Sequence, residues 1–144
     1  MEILEIKHGS IYFDDLIKQE LLLWPDNEFN DLYSETKVSN DYFYGAIVDD
    51  KLIGFIQIAI RNEYVNGTST SPVGFIEAIY VLEEYREKGY GRRLVEFAFD
   101  FVRNKGCKEI ASDALIDNYG SHEFHKRVGF KETERVIFYL KKLD

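Results

Sequence analysis

The sequence has one cysteine, Cys107, so no disulfide can form within the chain and a reducing compartment is the expectation. No apolar run comes near the length of a membrane span, and no basic-then-apolar leader opens the sequence. Repeats, low-complexity tracts and linkers are also missing. The reading is a soluble, cytoplasmic protein. Positive charge is scarce, since 18 Lys and Arg stand against 26 Asp and Glu for a formal charge of −8. A nucleic-acid partner would want a basic face, so that class is disfavoured. A cationic ligand would be attracted to such a surface, although acidic surfaces also serve solubility alone. What the chain does have is apolar mass. Hydrophobic residues make up 45%, including 11 Phe and 10 Tyr, more than a disordered chain carries. A single domain over residues 1–144 with a substantial core is expected.

Residues 1–8 alternate as a first strand, and residues 10–24 follow as a helix. Ser10 is its expected N-cap, with Ile11, Leu16 (or Ile17) and Leu21 on the buried face. Pro25 interrupts, and residues 26–38 read as a second short helix. Residues 42–48 and 52–60, joined by a tight turn at 49–51, make a hairpin. Residues 62–72 are a polar loop or a frayed strand end, and 73–82 form an apolar strand of the mid-sheet kind. From Gly91 to about Asn104 the period is helical, with Leu94, Val95, Ala98, Phe101 and Val102 in one stripe and Gly106 as a stop. Residues 108–113 read as a short strand, 121–128 as a short helix closed by Gly129, and 134–143 as a last strand. The order β-α-α-β-β-β-α-β-α-β describes an α/β domain whose central strand feeds directly into the glycine-bearing helix.

Between that strand and that helix stands EYREKGYGRRL, residues 84–94. Glycine weakens a helix, so Gly89 and Gly91 suggest that something approaches the backbone there. A strand, a glycine-rich loop and a helix N-terminus make an anion site, because unpaired N–H groups and the positive end of the dipole face one ligand. Arg86 and Arg92 add charge, or are solvated surface residues. The stretch lacks both the P-loop pattern and the three glycines of a dinucleotide fingerprint. An ordinary loop before a helix is the plain alternative.

The spacing R-x-x-G-x-G from Arg86 to Gly91, after an apolar strand, resembles the pyrophosphate loop of the GNAT superfamily of acetyl-CoA-dependent N-acetyltransferases. About thirty residues later, DNYGSHEFHKRVGF (117–130) resembles that family's second signature, an Asn opening a helix that ends in Gly-Phe. LLLWP around Trp24, NEYVNGTSTSPVGFIEAIYVL, ASDALIDN and GFKETERVIFYLKKLD are similar to the aminoglycoside 6′-N-acetyltransferases. The likeness runs nearly the whole length, least clearly through residues 26–50. It implies a GNAT fold, that is, a mixed, mostly antiparallel sheet splayed at its centre with helices on both faces. It also implies acetyl-CoA as co-substrate, no metal, and direct acetylation of an aminoglycoside 6′-amine in a ternary complex, giving antibiotic resistance. A homodimer is implied too, and the apolar last strand agrees with one.

The resemblance assigns Arg86, Glu87, Lys88, Gly89, Tyr90, Gly91 and Arg92 to the pyrophosphate, and Asn118 to the pantetheine or phosphate arm. The main chain of Ile79, Tyr80 and Val81 would hold the pantetheine like an added strand and supply an oxyanion contact. Glu77 and Asp113 are implied as carboxylates that bind the substrate's ammonium groups, either of which could relay a proton. Read alone, Glu77 is a carboxylate flanked by apolar residues in the central strand, or a strand-face Glu in solvent. Asp113 ends the strand expected beside it, or caps a turn. Trp24 and Tyr64 are candidate walls for a sugar ring, and Glu134 a candidate extra charge, including from a partner subunit. Many GNAT enzymes carry a Tyr general acid five residues before the Phe of Gly-Phe; here that position is His125, grouped with the cofactor site. The general acid therefore stays open. His8 reads as surface and His122 as solvent-facing. Other readings are a GNAT acting on another polyamine such as spermidine, or an acetyl-CoA sensor without turnover. A nucleotide-binding module is disfavoured, because no Mg²⁺-binding motif accompanies the glycines.

Overall fold

The structure is a computed structural model that describes residues 1–144. Five strands lie side by side in chain order: β1 (Glu2–Glu5), β2 (Tyr42–Val48), β3 (Lys51–Arg61), β4 (Val73–Val81) and β5 (Ile110–Ser112). All neighbours are antiparallel except β4 and β5. Helices α1 (Phe13–Leu23) and α2 (Phe29–Val38) precede β2, α3 (Tyr90–Asn104) connects β4 to β5, and α4 (Tyr119–Arg127) follows β5. The β2–β3 turn works because Asp49 and Asp50 both adopt left-handed φ, 50° and 61°. That twist suits a two-residue hairpin, and Asp tolerates it better than most residues.

Alternation along the strands gives each face its own core. Ile56, Ile58 and Ile76 pack against Leu94, Val95, Ala98 and Val102 of α3. Phe43, Phe55 and Ala78 meet Phe13, Leu16 and Ile17 of α1 and Leu32 of α2 on the opposite face. Each such buried aliphatic side chain contributes about 1.5–3 kcal/mol by leaving water. The expected α3 stripe is in place, with Phe101 half-buried against Tyr42 and Tyr44 at ring distances of 4.8 and 5.4 Å.

Two irregularities along β4 shape the molecule. Gln57 pairs with Ala78 and Ile58 with Ile76, so Glu77 is an extra residue, a bulge in β4. β4 and β5 pair only through Gly74–Ile76 and Ile110–Ser112, and from Glu77 onward the sheet opens. This is the expected splay, and it lies between the last two strands of five.

It lies there because the expected last strand does not form. Residues 131–144 are irregular and unpaired, and Val136, Ile137, Phe138, Tyr139, Leu140 and Leu143 are 61–92% exposed. A β-pattern is realised only where a neighbour completes its ladder, and within the chain this arm reaches none. A side-chain bond from the Thr133 hydroxyl to Asn66 Oδ1, 3.0 Å, fixes its start. The beginning of α1 also differs from expectation. The helix starts at Phe13, and Ser10 Oγ accepts from the Tyr12 N–H (3.1 Å) in the preceding turn instead of capping the helix. Ile11, outside the helical phase, is 86% exposed, while Phe13, Leu16, Ile17, Gln19 and Glu20 form the buried face and Leu21 is half-buried. No helix is long and apolar enough to cross a membrane.

Candidate functional site

The opening in the sheet is bordered by the start of α3. Glu87 and Gly89 take left-handed φ of 63° and 84°, which swings the chain into the helix. The first bond of α3 runs from Arg93 N–H to the Gly89 carbonyl (3.1 Å), and the N–H groups of residues 88–92 have no partner in the chain. They converge with the positive helix end into a main-chain anion cradle. The two glycines serve different needs. Gly89 needs its positive φ and has open space where a Cβ would stand. A Cβ on Gly91 would come within 3.3 Å of the Phe124 ring, so that glycine lets α4 pack close. Arg86 Nε donates to the Val81 carbonyl (2.8 Å), which ties the loop to the end of β4. Arg92 donates to the Arg127 carbonyl (2.7 Å) and pairs with Glu96 (3.8 Å), so it joins α3 to α4. Lys88 and Tyr90 stand at Tyr85, 5.7 and 6.4 Å from its ring. Ile79, Tyr80 and Val81 line the splayed length of β4, paired on the β3 side with Ile56, Phe55 and Gly54.

Across the opening, Asn118 is the N-cap of α4; its Oδ1 accepts from the Ser121 N–H at 3.2 Å. His125 is held at both nitrogens. Nδ1 lies 2.7 Å from the Ser121 carbonyl, which calls for a proton there and leaves Nε2 to accept from the Ser112 hydroxyl at 2.9 Å. His122 meets the Ile116 carbonyl (2.9 Å) and His8 the Tyr33 hydroxyl (2.9 Å), so neither serves solvent alone. Asp113, one residue beyond β5, is exposed with its carboxylate free of any partner. Glu77, re-aimed by the bulge and half-buried, forms an ion pair with Arg61. The Arg61 guanidinium rests 3.7 Å from the centre of the Phe75 ring. Sequence reading missed Arg61; the strand alternation from Gln57 through Ala59 was the available signal.

On the α1/α2 face is a cavity of about 410 Å³ whose lining includes Glu20, Trp24, Asn27, Glu35, Thr36 and Gln57. Glu20 is 2% exposed and accepts the Thr36 hydroxyl at 3.0 and 2.9 Å. Burial pushes its carboxyl up to about 7; the Thr36 bond opposes this and the Glu35 charge adds to it. Gln57 donates to Asp41 (2.8 Å) at the rim. Trp24, half-buried at the end of α1, is thus brought to a pocket wall. Tyr64 is not, being 76% exposed on the β3–β4 loop and absent from the lining. Glu134 is exposed on the C-terminal arm and makes no ion pair, its neighbour Arg135 pairing with Glu132 instead. Glu20 was also missed, although a Glu one turn after Leu16 on the buried stripe was a legible signal.

The Acetyltransferase (GNAT) family matches residues 10–130. The chain is 37% identical over 147 residues to an aminoglycoside N(6′)-acetyltransferase type 1 of Acinetobacter baumannii, covering 99% of each. Its structure is similar to the apo crystal structure of the aminoglycoside 6′-N-acetyltransferase AAC(6′)-IG from Acinetobacter haemolyticus, with a TM-score of 0.88, 37% identity and 100% of each chain covered. It is also similar to AAC(6′)-Iy in complex with the bisubstrate analogue CoA-S-monomethyl-acetylneamine, with a TM-score of 0.87 and 34% identity over 99% of this chain and 98% of that one.

Proposed function

Because this chain belongs to the GNAT family of acetyltransferases, we propose that it transfers the acetyl group of acetyl-CoA directly to the 6′-amine of aminoglycosides and so confers resistance to them. The observation that carries this reading is the likeness, over 99% of its length, to an aminoglycoside N(6′)-acetyltransferase. The unpaired N–H groups of residues 88–92 fit a pyrophosphate, and the open edge of β4 at Ile79–Val81 fits an extended pantetheine. Bound there, acetyl-CoA supplies an activated thioester.

The chain's own task is to present a neutral amine. Deprotonating a lysine-like ammonium at pH 7 costs about 4.6 kcal/mol, and aminoglycoside amines cost less. Glu77 takes that proton directly or through water and exchanges its Arg61 pairing for the substrate ammonium. Asp113, free and exposed at the end of β5, holds a second ammonium. A main-chain N–H of β4 faces the thioester oxygen as negative charge develops on it, and as the C–S bond breaks the coenzyme A thiolate takes the proton that the attacking nitrogen sheds, directly or through water. His125, engaged at both nitrogens, positions α4 against β5 and is not the general acid.

The protein works as one domain in the cytoplasm, and as a homodimer. The support for this last point is chemical: the apolar arm from Val136 to Leu143 and the outer edge of β5 are both without neighbours, and a second copy offers each the other. Light scattering tests it, with a dimer mass expected for the full chain and a monomer mass contradicting it. The activity is tested by spectrophotometric thiol release with acetyl-CoA and a panel of amines. The highest kcat/KM is expected with aminoglycosides. A higher value with spermidine, or no turnover with any amine, would overturn the reading.

A further inference from the structure

The cavity on the α1/α2 face includes two carboxylates, Glu20 and Glu35, in its lining and no lysine or arginine. The Thr36 hydroxyl is the one hydrogen-bond donor to Glu20, which leaves acceptor positions of a buried carboxylate open. Glu20 lies in the last turn of α1, where the helix end is negative and favours a cation. The groups that face it are Glu35 and Thr36 from α2 and Gln57 from β3, with Asp41 behind Gln57. The charged ones are all acidic. Trp24 adds an aromatic wall on which an ammonium or a sugar ring can rest. Gln57 and Arg61, four residues apart in β3, point to the same face, and Arg61 pairs with Glu77, so the cavity and Glu77 share one sheet face.

We propose that this cavity is a second cation subsite, in which ionised Glu20, flanked by Glu35, binds an ammonium group of a polycationic substrate whose reacting amine lies at Glu77. The proposal rests on the functional reading above. Since burial holds the empty Glu20 near half-protonation at neutral pH, an arriving ammonium expels its proton. Occupancy and proton release are therefore coupled.

The test is titration calorimetry of a kanamycin-type aminoglycoside into the CoA-loaded full chain, at pH 6 and pH 8, in buffers of different ionisation enthalpy. Glu20→Gln keeps the shape and can still accept from Thr36. It should weaken binding about ten- to hundredfold at pH 8. At pH 6 the unmutated chain should release up to about one proton more per ligand than the variant. Thr36→Val removes the tie between helices but not the charge, and should keep binding. Equal affinity and equal proton counts in Glu20→Gln, or an equal loss in both variants, would make Glu20 a tie between helices and overturn the subsite. If no aminoglycoside binds the unmutated chain, the functional reading fails, and 1,3-diaminopropane then probes the cavity. Weaker diamine binding to Glu20→Gln supports the subsite; equal binding, or none to either, overturns it.

Discussion

The cradle of N–H groups at the start of α3 is made of backbone, whereas the pocket on the α1/α2 face is made of side chains. The cradle consists of N–H groups from five consecutive residues, 88–92, and a helix end. The pocket assembles Glu20 and Trp24 from α1, Glu35 and Thr36 from α2, and Gln57 from β3. A backbone site tolerates side-chain change and fails when charge or main-chain geometry is altered. A side-chain site fails at single carboxylates. Glu77 stands between the two, delivered by a backbone bulge but held through its carboxylate, which pairs with Arg61.

The largest effect that would sharpen this contrast is expected at Glu77. Glu77→Gln removes the proton acceptor and leaves Arg61 unpaired, so kcat/KM should fall about 10²–10⁴-fold in steady-state assays. A loss under about tenfold would place the proton elsewhere. Asp113→Asn keeps the shape and removes one charge. Its kcat/KM should drop about ten- to hundredfold, matching a charged contact of roughly 1.5–3 kcal/mol.

On the backbone side, Gly89→Asp separates binding from stability. Asp tolerates left-handed φ, its Cβ meets open space, and a carboxylate suits a helix start. Calorimetry should nevertheless show acetyl-CoA affinity about ten- to hundredfold weaker. The melting temperature should hold, and Gly89→Asn should bind as the unmutated chain does. Unchanged affinity in Gly89→Asp would break the comparison.

The motif at residues 86–91 and the helix-opening Asn118 were readable because a loop–helix junction is written in consecutive residues. The same holds for the hairpin and for the α3 stripe. The pocket was not readable, because Glu20, Thr36 and Gln57 meet only once three elements have packed. Arg61 escaped for a related reason, since its partner lies across the sheet on another strand. The last strand misled for the opposite reason: residues 134–143 have strand chemistry, but strand formation depends on a neighbour that the sequence does not specify. Ile11 was assigned to a helix that begins two residues later.

Glu20 also predicts a pH effect on stability. Its carboxyl is raised from 4.5 to about 7 by burial, so its neutral form stabilises the fold. That contribution is complete below about pH 4.5 and is lost as pH rises through about 7. Glu20→Gln, always neutral, should therefore be more stable than the unmutated chain at pH 8, by at most about 3 kcal/mol in urea denaturation. The gap should close toward pH 4.5. A constant difference across that range would show that the carboxyl does not titrate there. The smallest effect is expected at His125. His125→Ala should cost the helix–strand bond to Ser112 and the bond to the Ser121 carbonyl within α4, about 1 kcal/mol each, and little turnover. A loss beyond about a hundredfold in kcat, with binding intact, would make it the general acid after all.

Acetyl transfer to one particular amine is the claim on which the site assignments depend. Its most direct test is thiol release from acetyl-CoA with matched aminoglycosides that differ only in carrying an amine or a hydroxyl at the 6′ position. Turnover with the 6′-amine and none with the 6′-hydroxyl is the predicted result; equal rates on the two would contradict it.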